Sequence, residues 1–251
     1  MSKTALILGG TKGLGLALAW DAHYLKYNPV IAGRSVHDKD TNKKFPPDLT
    51  DSSLLQVDLI DPNFIVNAMD FVEKIWGLRF DYIFWVSGIL IEKPFRDFTS
   101  EEIMEMIRIH YAGPIEFLRQ LTNFQIRYQK PFHLVTISST SSWRVRDNQA
   151  SYCSLQAAKS AFTMNFAREI ARDLPGSKTT LIHPGGMKTE LFKETKTDTS
   201  NFMDPKVVSR IIWNEVVSQK VPFHEVQIMR NDDGTPNVSY GPRLPEIPFK
   251  E

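Results

Sequence analysis

Short apolar runs alternate with longer segments whose apolar residues recur at helical spacing, from about residue 4 to residue 229. Runs of this length suit buried strands. Strands separated by helices need crossover connections, so the pattern implies a mostly parallel sheet covered by helices on both faces. Seven strands are expected, at Thr4–Leu8, Pro29–Ala32, Leu54–Val57, Tyr82–Val86, His133–Ser138, Thr179–His183 and Glu225–Met229. Helices are expected over Leu14–Tyr24, Pro62–Trp76, Ser100–Gln120, Tyr152–Arg172 and Pro205–Ser218. The second of these places Asp61 as N-cap and Pro62 at the first helical position, where a missing N–H costs nothing. Ser35–Asp51 is polar, contains Pro46-Pro47 and reads as a long loop. Residues 231–251 carry Pro236, Pro242, Pro245 and Pro248 and read as an extended C-terminal arm. No internal repeat or linker divides the chain, so residues 1–251 are expected to form a single doubly wound α/β domain.

Composition narrows the function class. With 42% hydrophobic and 24% charged residues, the chain can bury a large core. Its 30 Lys+Arg against 29 Asp+Glu leave a net charge of +1, so no global field draws nucleic acid or an anionic membrane, and small-molecule chemistry is the default. Cys153 is the one cysteine, which excludes an internal disulfide. The chain opens into a strand pattern, not a signal peptide, and no apolar run reaches the roughly 18 residues of a membrane span; a cytoplasmic protein is expected.

The first chemical signal is Gly9-Gly10-Thr11-Lys12-Gly13-Leu14-Gly15, between the first strand and the first helix. So tight a turn needs residues without a Cβ, and it brings a pyrophosphate to free backbone N–H groups at the positive end of a helix. Gly9, Gly13 and Gly15 provide the turn, with Thr11, Lys12 and Leu14 between them. The second strand ends in Gly33-Arg34-Ser35, where an NAD-binding site usually presents an acidic residue to the adenosine ribose. Lys12 and Arg34 instead offer two cations to a 2′-phosphate, and Ser35 adds a hydroxyl, which favours NADP(H) over NAD(H). Read without a ligand, both cations are solvated surface charges.

The Gly-x-x-x-Gly-x-Gly spacing is similar to that of the short-chain dehydrogenase/reductase family, a Rossmann-type fold, and the likeness runs from the glycine turn to about His224. Its most distinctive part is Ser139, at the end of the fifth strand, with Tyr152 thirteen residues later. The resemblance implies that Tyr152 passes a proton to a substrate oxygen while Ser139 polarises that oxygen. It also implies that Asp58-Leu59 meets the adenine, Asp58 being otherwise a turn cap. Ser87-Gly88 would approach the cofactor backbone, and Pro184-Gly185-Gly186-Met187-Lys188-Thr189 would orient the nicotinamide. Residues 188–204 would form a substrate lid, with Leu191, Phe192, Phe202 and Met203 as its apolar contacts. Trp143 is a further candidate wall of the substrate pocket, and Cys153 reads as a small buried filler. A homodimer or homotetramer is implied as well.

Three positions depart from the family pattern. The lysine expected four residues after the tyrosine is Gln156, which carries no charge to depress a phenol pKa normally near about 10. Lys159 lies seven residues after Tyr152, within about 20° on the same helix face, the spacing used by divergent enoyl-reductase-type members. It either takes over the missing charge or is a solvated or interface residue. The asparagine expected earlier is His110, read either as a proton relay or as a packed core histidine. Trp85-Val86-Ser87-Gly88 stands where the family has Asn-Asn-Ala-Gly. His23, His37, His133, His183 and His224 are scattered, and no catalytic metal is expected. Two functions follow: an NADP(H)-dependent oxidoreductase acting on a carbonyl or alcohol, or a weakly active or inactive NADP(H)-binding protein that regulates a partner.

Overall fold

A computed structural model describes residues 2–76 and 79–241. Eight strands form one sheet in the order β3-β2-β1-β4-β5-β6-β7-β8. The strands are β1 (Thr4–Leu8), β2 (Asn28–Gly33), β3 (Leu54–Gln56), β4 (Tyr82–Trp85), β5 (His133–Ile137), β6 (Lys178–Pro184), β7 (Phe223–Arg230) and β8 (Pro236–Tyr240). All neighbouring pairs are parallel except β7 with β8. The order reverses between β1 and β4, and in open α/β sheets ligands bind in the crevice at such a switch point.

The alternation of side chains along each strand builds two cores. Ala5 and Ile7 of β1, with Tyr82 and Phe84 of β4, face helices α1 (Gly13–Tyr24) and α7 (Pro205–Ser218). Leu6, Leu8, Ile83 and Trp85 face the opposite side, toward α3 (Phe64–Phe71), α5 (Gly113–Arg127) and α6 (Ala150–Asp173). Leu6, Ile7 and Leu18 are fully buried, and burial of each such side chain stabilises by about 1.5–3 kcal/mol. Trp213 of α7 locks the first core: its indole N–H donates to the Leu18 carbonyl at 3.0 Å.

Four sequence expectations change. The C-terminal segment does not begin as a free arm, because Asn231–Thr235 turns the chain back and Pro236–Tyr240 becomes an eighth strand. Gly234 takes φ +83 in that turn, and the Asn231 N–H donates to the Thr235 carbonyl at 2.8 Å. Pro236 lies on the sheet edge, where its missing N–H is tolerated; Pro242, Pro245 and Pro248 lie outside the described residues. The long loop at Ser35–Asp51 contains one helical turn, α2 (Lys39–Asn42). The helix expected from Pro62 starts at Phe64, with Asp61 accepting from the Asn63 N–H at 2.8 Å.

The helix expected over Ser100–Gln120 opens as α4 (Ser100–Ile107), with Thr99 and Glu102 forming a reciprocal capping box. It then widens into a π-turn at Arg108–Ala112 before α5. Pro114 gives the reason. It has no N–H for the carbonyl four residues back, and its ring would press on that carbonyl; a wider turn relieves both problems. His110 sits inside this turn.

Candidate functional site

One cavity of about 820 Å³ opens at the C-terminal ends of the strands. The glycine turn, Arg34-Ser35, Asp58-Leu59 and Ser87-Gly88 line one part of it. His110, Ser139, Tyr152, Gln156 and Lys159 line the deepest part, and Pro184-Gly185, Met187 and Thr189 complete the wall. The fold thus brings the glycine turn, the candidate cofactor contacts and the candidate catalytic residues onto a single surface, and leaves Trp143 and Met203 off it.

The glycine turn is shaped for a close ligand. Gly9 takes φ +91, and a Cβ there would lie 2.7 Å from the Ser87 nitrogen; at Gly15 a Cβ would lie 2.1 Å from the Gly9 carbonyl oxygen. Lys12, at the N-cap of α1, makes no side-chain cap, and the first turn holds no acidic residue. The positive end of α1 therefore faces the cavity with no cap or acidic residue of its own, although Glu190 Oε2 lies 4.0 Å from where a Gly13 Cβ would stand.

Ser139 follows β5 and caps a 3₁₀ turn, Thr140–Ser142. Its Oγ accepts from the Ser141 N–H at 3.1 Å, which leaves the hydroxyl proton free to donate elsewhere. Tyr152, in the first turns of α6, is 8% exposed, and burial pushes its phenol up to about 12. Ser139 and Gln156 oppose that shift, whereas Cys153 adds to it. Gln156 places its Nε2 3.5 Å from His110 Nδ1, and its Oε1 is buried without a hydrogen-bond partner. Gln156 is among the residues that line the cavity.

His110 is fully buried and stands edge-on to Tyr152, with ring centroids 5.6 Å apart. Burial, reinforced by the Lys159 charge, pushes it down to about 3, so the imidazole is neutral. Its Nε2 lies 2.7 Å from the Ile89 carbonyl oxygen and 2.9 Å from the Ile89 nitrogen. One tautomer donates to the carbonyl and leaves Nδ1 to accept from Gln156; the other accepts from the Ile89 N–H. Gly88 is required here, because a Cβ would meet His110 Cε1 at 2.8 Å.

A family model described as short chain dehydrogenase matches residues 3–200. The chain belongs to that family. An uncharacterised oxidoreductase of Staphylococcus aureus (strain N315) is 24% identical over 229 residues, 90% of this chain and 96% of its own. Carbonyl reductase family member 4 of Xenopus laevis is 23% identical over 223 residues, 89% and 91% of the two chains. Among solved structures, the fold is similar to 3-ketoacyl-(acyl-carrier-protein) reductase from Brucella melitensis complexed with NADH, with a TM-score of 0.76 at 16% identity, covering 93% of this chain and 98% of that one. It is also similar to an alcohol dehydrogenase from the archaeon Thermococcus sibiricus complexed with 5-hydroxy-NADP, at TM-score 0.75 and 19% identity, covering 90% and 96%.

In this short-chain dehydrogenase the Lys159 ammonium does not point into solvent. It is 1% exposed and donates to the Ser87 carbonyl at 2.7 Å and the Ile137 carbonyl at 3.3 Å, with the Trp85 ring 5.2 Å away. Burial pushes it down to about 7. Trp143 packs edge-on against His183 at 4.7 Å and is not part of the cavity wall. Cys153 is only half-buried. In the segment 188–204, Leu191, Phe192 and Phe202 line the cavity, whereas Met203 is fully buried and bridges to Met187. The two ends of the segment are tied by Lys188 N–H to the Met203 carbonyl at 2.9 Å, and Met203 N–H donates to the Gly186 carbonyl at 3.1 Å.

Ile89, Leu90, Arg146, Gln149 and Arg230 also line the cavity and were not anticipated. Arg146 had a local signal, lying between Ser139 and Tyr152 in sequence. Arg230 had none, since only the sheet order carries the end of β7 beside β6. Among the described residues, no group of three or more His, Cys, Asp and Glu is arranged to hold a metal, and no helix is long and apolar enough to cross a membrane.

Proposed function

We propose that the protein binds NADP(H) and reduces a carbonyl compound, with Tyr152 as proton donor. The observation that carries this reading is the shared wall: Tyr152 and Ser139 line the same cavity as the glycine turn and the uncapped end of α1. The residues present fit a dinucleotide. Glycines stand where a Cβ would strike backbone, and the α1 end offers N–H groups to a pyrophosphate. Arg34 follows β2 on the cavity wall with Lys12 and Ser35, which supports a 2′-phosphate and hence NADP(H).

The chemistry that NADPH would supply when held by these residues is a hydride for the carbonyl carbon. Ser139, whose Oγ accepts from the Ser141 N–H and keeps its own proton to donate, would hydrogen-bond the carbonyl oxygen. Tyr152 then transfers its phenolic proton to the same oxygen as negative charge develops. A phenol pushed up to about 12 keeps that proton at neutral pH, so it suits reduction; alcohol oxidation needs the phenolate. Gln156 and neutral His110 keep the phenol in place without adding charge.

A second reading is favoured by one observation. Ser139, Cys153 and Gln156 are the side chains that act on the phenol, and none is a cation. In this reading the nucleotide is held without turnover and its occupancy regulates a partner. Titration with NADPH and NADH, followed by NADPH consumption against ketones, aldehydes and quinones, separates the two. Preferential NADPH binding with turnover supports the reductase; tight binding without turnover across the panel supports the regulator; absence of binding removes both.

A further inference from the structure

A second pocket of about 340 Å³ adjoins the main cavity beyond the C-terminal ends of β5 and β6. Thr140, Arg146, Gly185, Gly186 and Arg230 line both, so the two are neighbouring compartments of one cleft. Arg144, Arg146 and Arg230 all stand on the wall of the smaller one, against one carboxylate, Asp232, among its described residues.

These three cations are not neutralised by the fold. Among the described residues none of them forms a salt bridge. Arg230 is fixed by neutral groups: Nη1 donates to the Asn201 side-chain oxygen and, at 3.4 Å, to the Asn201 carbonyl, and its guanidinium lies 4.8 Å over the Phe202 ring. Arg144 donates only to a weak acceptor, Met229 Sδ, at 3.3 Å. Asp198 in the segment 188–204 feels the Arg230 charge but is held by the Ser200 N–H and hydroxyl. All three arginines are exposed, so water screens their mutual repulsion, but they share one concave wall and Arg230 is oriented before any ligand arrives. Guanidinium forks match carboxylate and phosphate oxygens, so a bound anion uses the geometry already in place.

The position distinguishes this pocket from the phosphate sites of a dinucleotide. Arg34 follows β2 and Gly185 follows β6, four strand spacings apart in the sheet, or roughly 19 Å at about 4.8 Å each. The arginine pocket instead borders the residues after Ser139 and the segment 188–204. Building on the reductase reading above, we propose that it is an anion subsite for the substrate: the carbonyl compound carries a carboxylate or phosphate that Arg146 and Arg230 hold, with Arg144 on the outer wall.

The test compares each member of a ladder of oxoalkanoates of increasing chain length with its primary amide, and dihydroxyacetone phosphate with dihydroxyacetone. Wild-type protein should favour the anionic member of at least one series by about tenfold or more in kcat/KM, expressed through KM. Arg146→Gln and Arg230→Gln should each shrink that ratio toward one. The arm that responds identifies carboxylate or phosphate as the anion. Equal kcat/KM within every pair, or variants that slow both members alike, would overturn the subsite.

A readout independent of turnover is the melting temperature of NADPH-loaded protein with succinate or inorganic phosphate. An increase in the wild type that is lost in Arg146→Gln supports the subsite even if no carbonyl is reduced, in which case only the reductase reading falls. Turnover of neutral ketones without any anion-dependent shift or preference overturns the subsite and leaves the reductase reading standing.

Discussion

The ammonium of Lys159 lies 2.7 Å from the carbonyl oxygen of Ser87, joining α6 to the end of β4 beneath the candidate active site. Its second acceptor, Ile137, ends β5. The lysine thus ties together the two strands between which the cavity floor lies, while the position one turn nearer Tyr152 carries the uncharged Gln156. This arrangement separates structural from chemical roles on one helix face and makes their effects distinguishable by experiment.

Lys159→Met should change the pH dependence of stability. Burial lowers the folded pKa from 10.5 to about 7, so between those pH values the unfolded chain holds more protons and wild-type stability rises with pH. The variant lacks that slope. Unfolding free energies from urea titrations at pH 6 to 10 should show the wild type gaining about 3–5 kcal/mol on the variant as the pH rises; parallel curves would show that Lys159 stays charged in the fold.

His110 and His133 should make the protein acid-labile. Burial lowers both to about 3 from 6.5, so the unfolded state takes up protons first and stability falls as the pH drops from 6.5 toward 3. Each histidine is expected to contribute roughly 3–5 kcal/mol to the loss by its end. Replacing either by Asn should flatten the dependence of the denaturation midpoint on pH in this range, and an unchanged slope would exclude the replaced group as its source.

Tyr152→Phe should abolish carbonyl reduction by at least about a hundredfold while NADPH binding, followed by fluorescence, is retained. In the wild type, with the phenol near 12, reduction should be flat with pH through neutrality and alcohol oxidation should rise with pH, because only the phenolate accepts a proton. Gln156→Lys should move the rise in oxidation to lower pH by placing a cation near the phenol. An oxidation profile that levels off near neutral pH in the wild type would contradict the raised pKa.

Gly9→Ala should weaken NADPH binding and cost about 2–4 kcal/mol of stability, because the residue has φ +91 and its Cβ would press on the Ser87 backbone. Gly176→Ala is the control: it has a comparable φ of +90 but meets only Pro131 side-chain atoms at 3.4 Å or more. Calorimetry on both should show a stability loss in each and loss of NADPH binding only in the first.

Arg34→Glu should reverse cofactor preference, lowering NADPH affinity relative to NADH by about ten- to a hundredfold, since it replaces a cation that faces the cavity with a carboxylate suited to ribose hydroxyls. Equal loss of both affinities would place Arg34 outside the 2′-phosphate contact.

The parts of this protein that were legible in the sequence are those fixed by local chemistry. Strand alternation sends Ala5 and Ile7 to one face of the sheet and Leu6 and Leu8 to the other, and that period needs no knowledge of neighbours. The glycine turn was legible because positive φ and close backbone approach select glycine directly. Ser139 and Tyr152 were singled out by the family resemblance, and they stand where it places them, after β5 and at the start of α6.

Other features depend on what the chain meets after folding. The eighth strand was hidden because its prolines read as an arm, and only pairing with β7 makes Pro236 an edge residue. The π-turn that inserts His110 behind Tyr152 follows from Pro114 within a continuous helix, where the backbone could have kinked or ended instead. Helical geometry placed Lys159 on the Tyr152 face but could not say that the backbone carbonyls of Ser87, just beyond β4, and Ile137, at the end of β5, would accept hydrogen bonds from it. The convergence of Arg144, Arg146 and Arg230 arises because β7 is laid beside β6 across a long sequence separation. Sequence periodicity and backbone preference determine which elements form; long-range packing alone determines which groups are brought together and which, like Lys159 and His110, are buried away from water.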